Sequence, residues 1–414
     1  MENTDLTTNG IIYKATLISA DTGEFDAESS IKELEELAQT AGVETSFYSI
    51  QKRPSYDSAT CIGSGRLEEI AENVRAMDIN LAIFDCELTA NQTKNIENIL
   101  DIQVIDRTTL ILDIFAQRAR TKEGRIQVEL AQNKYRLAHL AGRGIEMSRL
   151  GGGIGTRGPG ESKLETDRRH IRRRIETLEA ELKKLEKRRG YYRARRKKDN
   201  ILTGAIVGYT NVGKSTLLNK LTDAGVLSEN KLFATLDPTT RSMELPNGEK
   251  VLLTDTVGFI RKLPHNLIEA FKSTLEEAKY ADIIVHVVDV SNPNYEQQMS
   301  TVYATLKQLG VEGKPVVTLF NKCDVLPEKP AAKDLHADYT YNISAVRGNG
   351  LEAFKECLQE IILKSRIRIE RVFPYSEAGK IQLIRQFGQL ESEEYTEDGI
   401  KVLAYVPKEI EGKL

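Results

Sequence analysis

The chain has 414 residues, a length that predicts two to four domains. Its residues are 40% hydrophobic and 29% charged, which is typical of soluble globular proteins. No apolar stretch of about twenty residues predicts a transmembrane helix, and the polar N-terminus lacks the pattern of a signal peptide. The four scattered cysteines form no metal-type spacing and indicate reduced thiols rather than a disulfide framework. We expect a monomeric, cytoplasmic protein.

Charge is distributed unevenly along the chain. The net charge is −3, yet residues 157–198 contain 17 Lys and Arg against 7 Asp and Glu, a balance of about +10. The rest of the chain is therefore net acidic, and a near-neutral total hides one strongly basic segment.

Residues 1–121 alternate short apolar runs with helical periodicity. Strands are predicted at 11–18, 59–62, 81–84 and 103–105, and helices at 29–41, 64–77, 90–99 and 108–120. This order predicts an N-terminal α/β domain with a largely parallel sheet.

Residues 122–199 are predicted to form a helical hairpin. Apolar residues in heptad spacing define one seam at Ile126, Leu130, Leu137 and Leu140, and a second at Leu164, Ile171, Ile175, Leu178, Leu182 and Leu185. Residues 142–160 between the seams are rich in glycine and predict a loop. Two helices joined by a loop indicate an antiparallel pair.

Residues 200–365 return to the alternation of strands and helices and predict a second α/β domain with a mainly parallel sheet. Its strands are predicted at 201–207, 251–254, 283–288, 316–320 and 339–343. Residues 366–414 predict a small α+β module, with strands at 367–372, 389–395 and 400–406 and a helix at 376–387.

The segment GYTNVGKS, residues 208–215, matches the phosphate-binding loop pattern between a predicted strand and a predicted helix. Its glycines let backbone N–H groups face phosphate oxygens. Lys214 is expected to reach the β- and γ-phosphates, and the Ser215 hydroxyl is expected to bind Mg²⁺. This motif alone does not distinguish ATP from GTP.

Three further short motifs, each after a predicted strand, favour GTP. Asp255 in DTVG is placed to hold the Mg²⁺ shell, and the Gly258 N–H to touch the γ-phosphate. Asp324 in NKCD offers a carboxylate to the N1 and N2 donors of guanine, a donor pair that adenine lacks. Ser344 and Ala345 are expected to offer a backbone N–H to the guanine O6.

A GTPase also needs a threonine that reports the γ-phosphate through Mg²⁺. Between the first two motifs, Thr235 is our choice, while Thr239 and Thr240 remain possible or are turn residues after Pro238. Phe259 follows the DTVG motif where many small GTPases carry a glutamine that orients water. Intrinsic hydrolysis is therefore expected to be slow, or another group must orient the water.

At this point the chain resembles the HflX family of translation-factor-class GTPases. The resemblance lies in GYTNVGKSTLLN, LFATLDPTTR, DTVGFIRKLPH, NKCD and SA, and outside these motifs in IGSGRLEEI and RGPGESKLETDRR. It covers nearly the whole chain. It implies a GTPase that binds the large ribosomal subunit and couples GTP hydrolysis to ribosome splitting or rescue under stress, with the ribosome stimulating a slow intrinsic activity.

The resemblance also implies the residues of the site. Lys214, Thr235 and Gly258 would be catalytic, and Mg²⁺ would be bound by Ser215 and Thr235. Nucleotide contacts are implied for Gly208, Tyr209, Thr210, Asn211, Val212, Gly213, Lys214, Ser215, Phe233, Ala234, Thr235, Leu236, Asp237, Asp255, Thr256, Val257, Gly258, Asn321, Lys322, Cys323, Asp324, Ser344, Ala345 and Val346.

The basic segment independently indicates an RNA partner. A helix with a charge of about +10 beside a glycine-rich loop is suited to neutralising RNA phosphates, and Tyr191 and Tyr192 are suited to stacking on bases. The alternative is a solvated helix with i,i+4 ion pairs. GSGR at residues 63–66 is interpreted as a tight turn, with binding of a second phosphate as the less favoured alternative.

Two other functions are compatible with these motifs. One is a GTPase that acts in large-subunit assembly or RNA modification. The other is a non-enzymatic nucleotide sensor that docks a protein through the heptad seam.

Overall fold

The computed structural model describes residues 13–24, 26–149, 159–198, 201–222, 232–262, 272–328 and 331–414. The chain divides into two compact units. The first comprises the described residues within Met1–Glu186, Glu229–Asp237 and Val257–Thr274. The second comprises those within Lys187–Ser228, Pro238–Thr256 and Leu275–Leu414. None of the helices in these described ranges is long and apolar enough to cross a membrane.

The N-terminal part of the first unit is an α/β domain with a parallel β-sheet. Its elements are β1 Lys14–Asp21, α1 Ala27–Thr40, β2 Glu44–Lys52, α2 Ser64–Ala76, β3 Leu81–Phe84, α3 Ala90–Leu100, β4 Gln103–Asp106 and α4 Arg107–Arg118. The strand order is β2-β1-β3-β4. Phe84, Leu67 and Ile96 belong to the apolar cluster that joins the sheet to α2 and α3.

The prediction of a strand at residues 59–62 is wrong. This segment forms a turn closed by a bridge between Asp57 and Cys61. The fourth strand of the sheet is instead β2, which was not predicted from the sequence. Cys61 has a φ of +65°, which a β-strand does not accommodate. Cys61 and Ile62 are apolar because they belong to the core, and burial rather than strand pairing explains the run.

Two long helices complete the first unit's described elements before residue 187. They are α5 Lys122–Arg149 and α6 Pro159–Lys198, and α6 continues into the second unit. Ile126 and Leu130 of α5 pack with Leu178, Ile175 and Leu182 of α6. Lys122 of α5 pairs with Glu181 of α6, whereas Glu129, later in α5, pairs with Arg174, earlier in α6. The two helices are therefore antiparallel.

The predicted loop at residues 142–160 is shorter than expected, because α5 continues to Arg149 and α6 begins at Pro159. Each glycine in a helix costs about 1 kcal/mol relative to alanine, and good helix formers such as Ala141 and Met147 surround these glycines. Residues 150–158 of the predicted loop, and residues 199–200, lie outside the described residues.

The second unit contains a mainly parallel sheet with helices. Its elements are β5 Leu202–Gly208, α7 Lys214–Thr222, β6 Thr239–Glu244, β7 Lys250–Asp255, α8 Lys272–Tyr280, β8 Ile283–Asp289, α9 Tyr295–Gln308, β9 Val316–Asn321, β10 Tyr339–Asn342 and α10 Leu351–Ser365. The strand order is β10-β9-β8-β5-β7-β6, and β6 alone among these is antiparallel to its neighbour. The predicted α/β class with a mainly parallel sheet is confirmed.

The C-terminal residues form the predicted small α+β module. It consists of β11 Ile367–Phe373, a 3₁₀ turn Tyr375–Glu377, α11 Ala378–Phe387, β12 Gln389–Thr396, β13 Gly399–Val406 and α12 Lys408–Glu411. The antiparallel sheet has the order β11-β13-β12. Ile384 of α11 packs on Val402 and Val406 of β13.

Candidate functional site

The predicted motifs of the second unit follow the carboxyl ends of its parallel strands. Residues 208–215 follow β5, Asp255 ends β7, residues 321–324 follow β9, and residues 344–346 follow β10. Because parallel strands end at the same edge of a sheet, these loops lie together, where open α/β sheets bind their ligands.

The loop between β5 and α7 has the backbone that an anion site requires. Gly213 has a φ of +96°, and a Cβ atom added there would lie 2.5 Å from the Asn321 Nδ2. Only glycine therefore fits this position without displacing Asn321. The loop leads directly into the N-terminus of α7, whose backbone N–H groups are a ready site for phosphate.

Lys214 is the buried cation of this loop. Its Nζ donates hydrogen bonds to the carbonyl oxygens of Gly208 at 3.2 Å and Tyr209 at 2.7 Å. Burial lowers the pKa of Lys214 to about 8, and nearby Asp255 only partly offsets this effect. An anionic ligand would restore the favourable environment that the buried ammonium group lacks.

Ser215 and Asp255 bring two oxygen donors together beside Lys214. The Ser215 hydroxyl donates to the Asp255 Oδ2 at 2.6 Å, and Asp255 is fully buried. Hydroxyl and carboxylate oxygens are ligands that Mg²⁺ prefers. Within the described part of the chain, no group of three or more His, Cys, Asp or Glu residues could hold a metal ion. A cation here would therefore need further oxygens from the substrate's phosphates, which is how Mg²⁺ is usually bound in phosphoryl-transfer sites.

Asn321 joins three of the loops. Its Nδ2 donates to the Val212 carbonyl at 2.8 Å, and its Oδ1 accepts from the Ala345 N–H at 2.9 Å. The side chain is buried, so both hydrogen bonds are shielded from water. The phosphate-loop backbone, the segment after β9 and the segment after β10 are thereby held in one arrangement.

Asp324 and Lys322 extend from the same segment. A hydrogen bond from Ser344 is the main cause that lowers the pKa of Asp324, and Arg347 pairs with its carboxylate at 3.3 Å. Lys322 pairs with Asp289 at the end of β8, at 2.6 Å. Asp324 is therefore kept ionised as a hydrogen-bond acceptor, while Cys323 is half-buried and Val346 is exposed.

Seven predicted site residues, 233–237 together with Val257 and Gly258, belong to the first compact unit. Phe233, Leu236 and Val257 are buried there, and Ala234, Thr235 and Asp237 are half-buried. Phe259 is fully buried, in agreement with a packing role for that side chain. In the second unit, the hydroxyl of Thr240, near the start of β6, lies 2.9 Å from the hydroxyl of Thr254 in β7, which gives this alternative threonine a structural partner.

A buried charge network in the first unit was not predicted from the sequence. Lys262 Nζ donates to the Asp85 Oδ2 at 2.7 Å, and the Arg107 Nη1 donates to the Asp85 Oδ1, also at 2.7 Å. Arg107 also pairs with Glu33. Lys262 lies four residues after Gly258, so this network holds the segment that follows the DTVG motif. The partners are 177 positions apart, and no local pattern could have found them.

Comparison with known proteins supplies the family. Three family models match consecutive parts of the chain, the GTP-binding GTPase N-terminal model at residues 28–116, its middle region at 118–196, and a 50S ribosome-binding GTPase model at 203–322. GTPase HflX of Lacrimispora saccharolytica is 54% identical over 96% of this chain and 94% of its own length. GTPase HflX of Escherichia coli is 38% identical over 89% of this chain and 87% of its own length.

The chain belongs to the HflX family of GTPases. The resemblance seen in the motifs is thus confirmed, and the chain is a P-loop GTP hydrolase. Among solved structures, a GTP-binding protein of the archaeon Sulfolobus solfataricus in complex with GDP is 26% identical, with a TM-score of 0.44, over 84% of this chain and 98% of that chain.

Proposed function

We propose that this HflX family member binds Mg²⁺·GTP at the strand-end loops and hydrolyses it there. The observation that carries the proposal is the grouping of Lys214, Ser215 and Asp255 beside an N–H-rich loop. Lys214 binds the β- and γ-phosphate oxygens, and Ser215 and Thr235 would hold Mg²⁺. The chemistry that Mg²⁺ would supply there is neutralisation of the charge that develops on the phosphates. Asp255 accepts a hydrogen bond from Ser215 and orients it.

The base is guanine because of Asp324. A carboxylate accepts two hydrogen bonds from the N1 and N2 donors of guanine. Adenine lacks both donors, so neither hydrogen bond to the carboxylate would form. Asn321 supports this side of the site by holding the Ala345 N–H in place, while Lys322 is fixed by Asp289. The residues of the loop 344–346 then close the site around the base.

Hydrolysis is proposed to be slow until a partner binds. Phe259 has no polar atom in its side chain and is buried, so it does not orient a water molecule. Thr235 and the Gly258 N–H are the groups that respond to the γ-phosphate when it is present. Partner-stimulated GTPases gain on the order of 10³ in rate when the partner completes the catalytic site.

The proposed partner is the large ribosomal subunit, which the chain binds and splits from the small subunit in the cytoplasm, acting as a monomer. One support is the match to a 50S ribosome-binding GTPase model. The other is the exposed basic surface of α6, which we call the basic face, formed by Arg169, Arg172, Arg173, Lys183, Lys184 and Arg188. Exposed arginine and lysine side chains along one helix neutralise RNA phosphates.

The test of the partner is GTP turnover with and without purified subunits. We expect the large subunit to raise turnover on the order of 10³-fold, and the small subunit to have no effect. Equal turnover with both subunits would contradict a specific partner.

The test of splitting is sedimentation of intact ribosomes with the protein. With a non-hydrolysable GTP analogue, the ribosome peak should convert into separate subunits, whereas with GDP it should persist. Equal profiles with the analogue, with GDP and without nucleotide would refute a nucleotide-driven splitting activity.

A further inference from the structure

Residues 232–237, which carry Thr235, are packed firmly within the first unit. Leu232, Phe233 and Leu236 are all buried, whereas Thr235 is half-buried. The Phe233 ring meets the ring of Phe115 in α4 edge-on, with the centroids 4.6 Å apart. The apolar side chains thereby fix one end of the segment on the N-terminal α/β domain.

The other end of the segment is held by a carboxylate. Asp237 Oδ2 accepts from the backbone N–H groups of Arg120 at 3.0 Å and Thr121 at 2.9 Å, and the Thr121 hydroxyl donates to Oδ1 at 2.5 Å. Thr121 immediately precedes α5, and its Oγ1 also accepts from the Gly124 N–H at 3.0 Å. The first N–H groups of a helix have no partner within the helix and attract negative charge. The Thr121 hydroxyl therefore caps α5, and Asp237, from a distant part of the chain, binds both that hydroxyl and the backbone just before the helix.

Gly124 makes room for the Asp237 carboxylate. A Cβ atom added to Gly124 would lie 2.3 Å from the Asp237 Oδ1, well inside contact distance. Glycine near the start of a helix is costly compared with alanine, by about 1 kcal/mol. The close approach of the Asp237 carboxylate explains why glycine is present at this position.

We infer that Thr121, outside the predicted GTPase domain, is a positioning residue for GTP hydrolysis. With the Arg120 N–H it holds Asp237 at the start of α5 and thereby positions Thr235. The inference rests on the proposed role of Thr235 as the residue that reports the γ-phosphate. Residues two apart lie within about 7 Å along the chain, so fixing residues 233 and 237 confines Thr235 from both sides. A confined segment has less ordering entropy to lose when GTP binds.

The test uses a variant whose added Cβ atom would displace the Asp237 carboxylate, although alanine itself favours the helical conformation of α5. Gly124→Ala should lower kcat for GTP about tenfold, the effect expected from losing one hydrogen bond to a charged group. KM for GTP should change less, and the affinity for GDP, which has no γ-phosphate, should stay unchanged. Thr121→Val should reproduce this pattern, and Thr121→Ser, which keeps the hydroxyl, should restore wild-type kcat.

The matched control is Gly190→Ala in α6. An added Cβ atom at Gly190 meets no atom within 4 Å, so this variant should keep wild-type kcat. Circular dichroism and thermal unfolding of the Gly124→Ala protein should match the wild type, because alanine is the better helix former. A wild-type or higher kcat in both Gly124→Ala and Thr121→Val would overturn the inference.

A fifth variant separates this inference from the proposed function. Thr235→Ala should abolish most GTP turnover. If it does so while Gly124→Ala and Thr121→Val are fully active, the positioning role fails and the role of Thr235 stands. If Thr235→Ala turns over GTP at the wild-type rate, the proposed role of Thr235 fails, and the inference fails with it.

Discussion

At the scale of single residues, the burial of Lys214 links nucleotide binding to pH. Its ammonium group is surrounded by the loop carbonyls of Gly208 and Tyr209, and burial lowers its pKa to about 8. The free protein therefore loses this charge between neutral and mildly alkaline pH. A bound phosphate stabilises the charged form and raises the pKa, so binding takes up a proton.

We therefore predict that the affinity for GTP falls as the pH rises through about 8. Calorimetric titrations between about pH 6.5 and 9.5 would measure the dissociation constant and the proton uptake. Lys214→Arg is the control, because a guanidinium group stays charged throughout this range. An affinity for GTP that depends equally on pH in both proteins would contradict the assignment to Lys214.

Base selection also depends on one residue. Replacing Asp324 by Asn exchanges one acceptor oxygen for a donor, which matches xanthine and opposes guanine. We predict that Asp324→Asn lowers kcat/KM for GTP by about 100-fold or more and improves turnover of xanthosine triphosphate. Asp398→Asn, the same exchange at an exposed site in the C-terminal module, should leave both values unchanged. Retained preference for guanine in Asp324→Asn would remove the basis for the proposed base recognition.

At the scale of elements, the charge network at the end of β3 holds the segment after Gly258. Burial tends to raise the pKa of Asp85, but the ion pairs with Arg107 and Lys262 outweigh this, and its pKa lies below the usual range. A carboxylate with a depressed pKa stabilises the fold fully above the ordinary pKa of about 4. The contribution is lost as the pH falls through the lower, folded-state value.

We predict that Asp85→Asn lowers the free energy of unfolding at neutral pH by ~3–5 kcal/mol, because it leaves buried Arg107 without this carboxylate. Urea unfolding would measure the change, and faster amide exchange in the described residues 257–262 would show release of the segment. Asp101→Asn is the control, since Asp101 is exposed and has a φ of +56°, which asparagine tolerates well. A loss below about 1 kcal/mol would show that the network does not stabilise the fold.

At the scale of the whole molecule, charge is separated along the chain. The basic face on α6 contrasts with a remainder that is net acidic. Binding to RNA through such a face releases counterions and weakens steeply with salt.

We predict that the double variant Arg172→Glu and Arg173→Glu weakens ribosome binding at least tenfold and reduces its dependence on salt. The matched control is Lys32→Glu with Lys94→Glu, which changes the net charge equally at exposed positions outside α6. Filter binding or co-sedimentation at several salt concentrations would measure both. Equal weakening by the two double variants would show that net charge, rather than the basic face, governs binding.

The clearest strand predictions concern central, buried strands, although the edge strands β10, β11 and β12 were also predicted. Residues 81–84 and 316–320 are wholly or mostly apolar and coincide with β3 and β9, apart from a boundary residue in β9. The two strands that were missed, β2 and β6, lie at sheet edges and carry mostly half-buried or exposed side chains. An edge strand buries little, so its composition carries a weak signal. The heptad seam was visible for the same reason as the central strands, because Leu178 and Ile126 are buried.

Sequence motifs alone identified the GTPase chemistry, because each motif is a short run whose neighbouring residues act together at the end of one strand. Residues 208–215 and 321–324 needed no distant partner to be recognised. The contacts that hold the segments of Thr235 and Gly258 in place become visible in the folded protein alone. Asp237 is bound by Thr121, 116 positions away, and Lys262 by Asp85, 177 positions away. Hydrogen bonds and ion pairs at such separations depend on how the chain folds back on itself, and neither periodicity nor spacing along the chain encodes them.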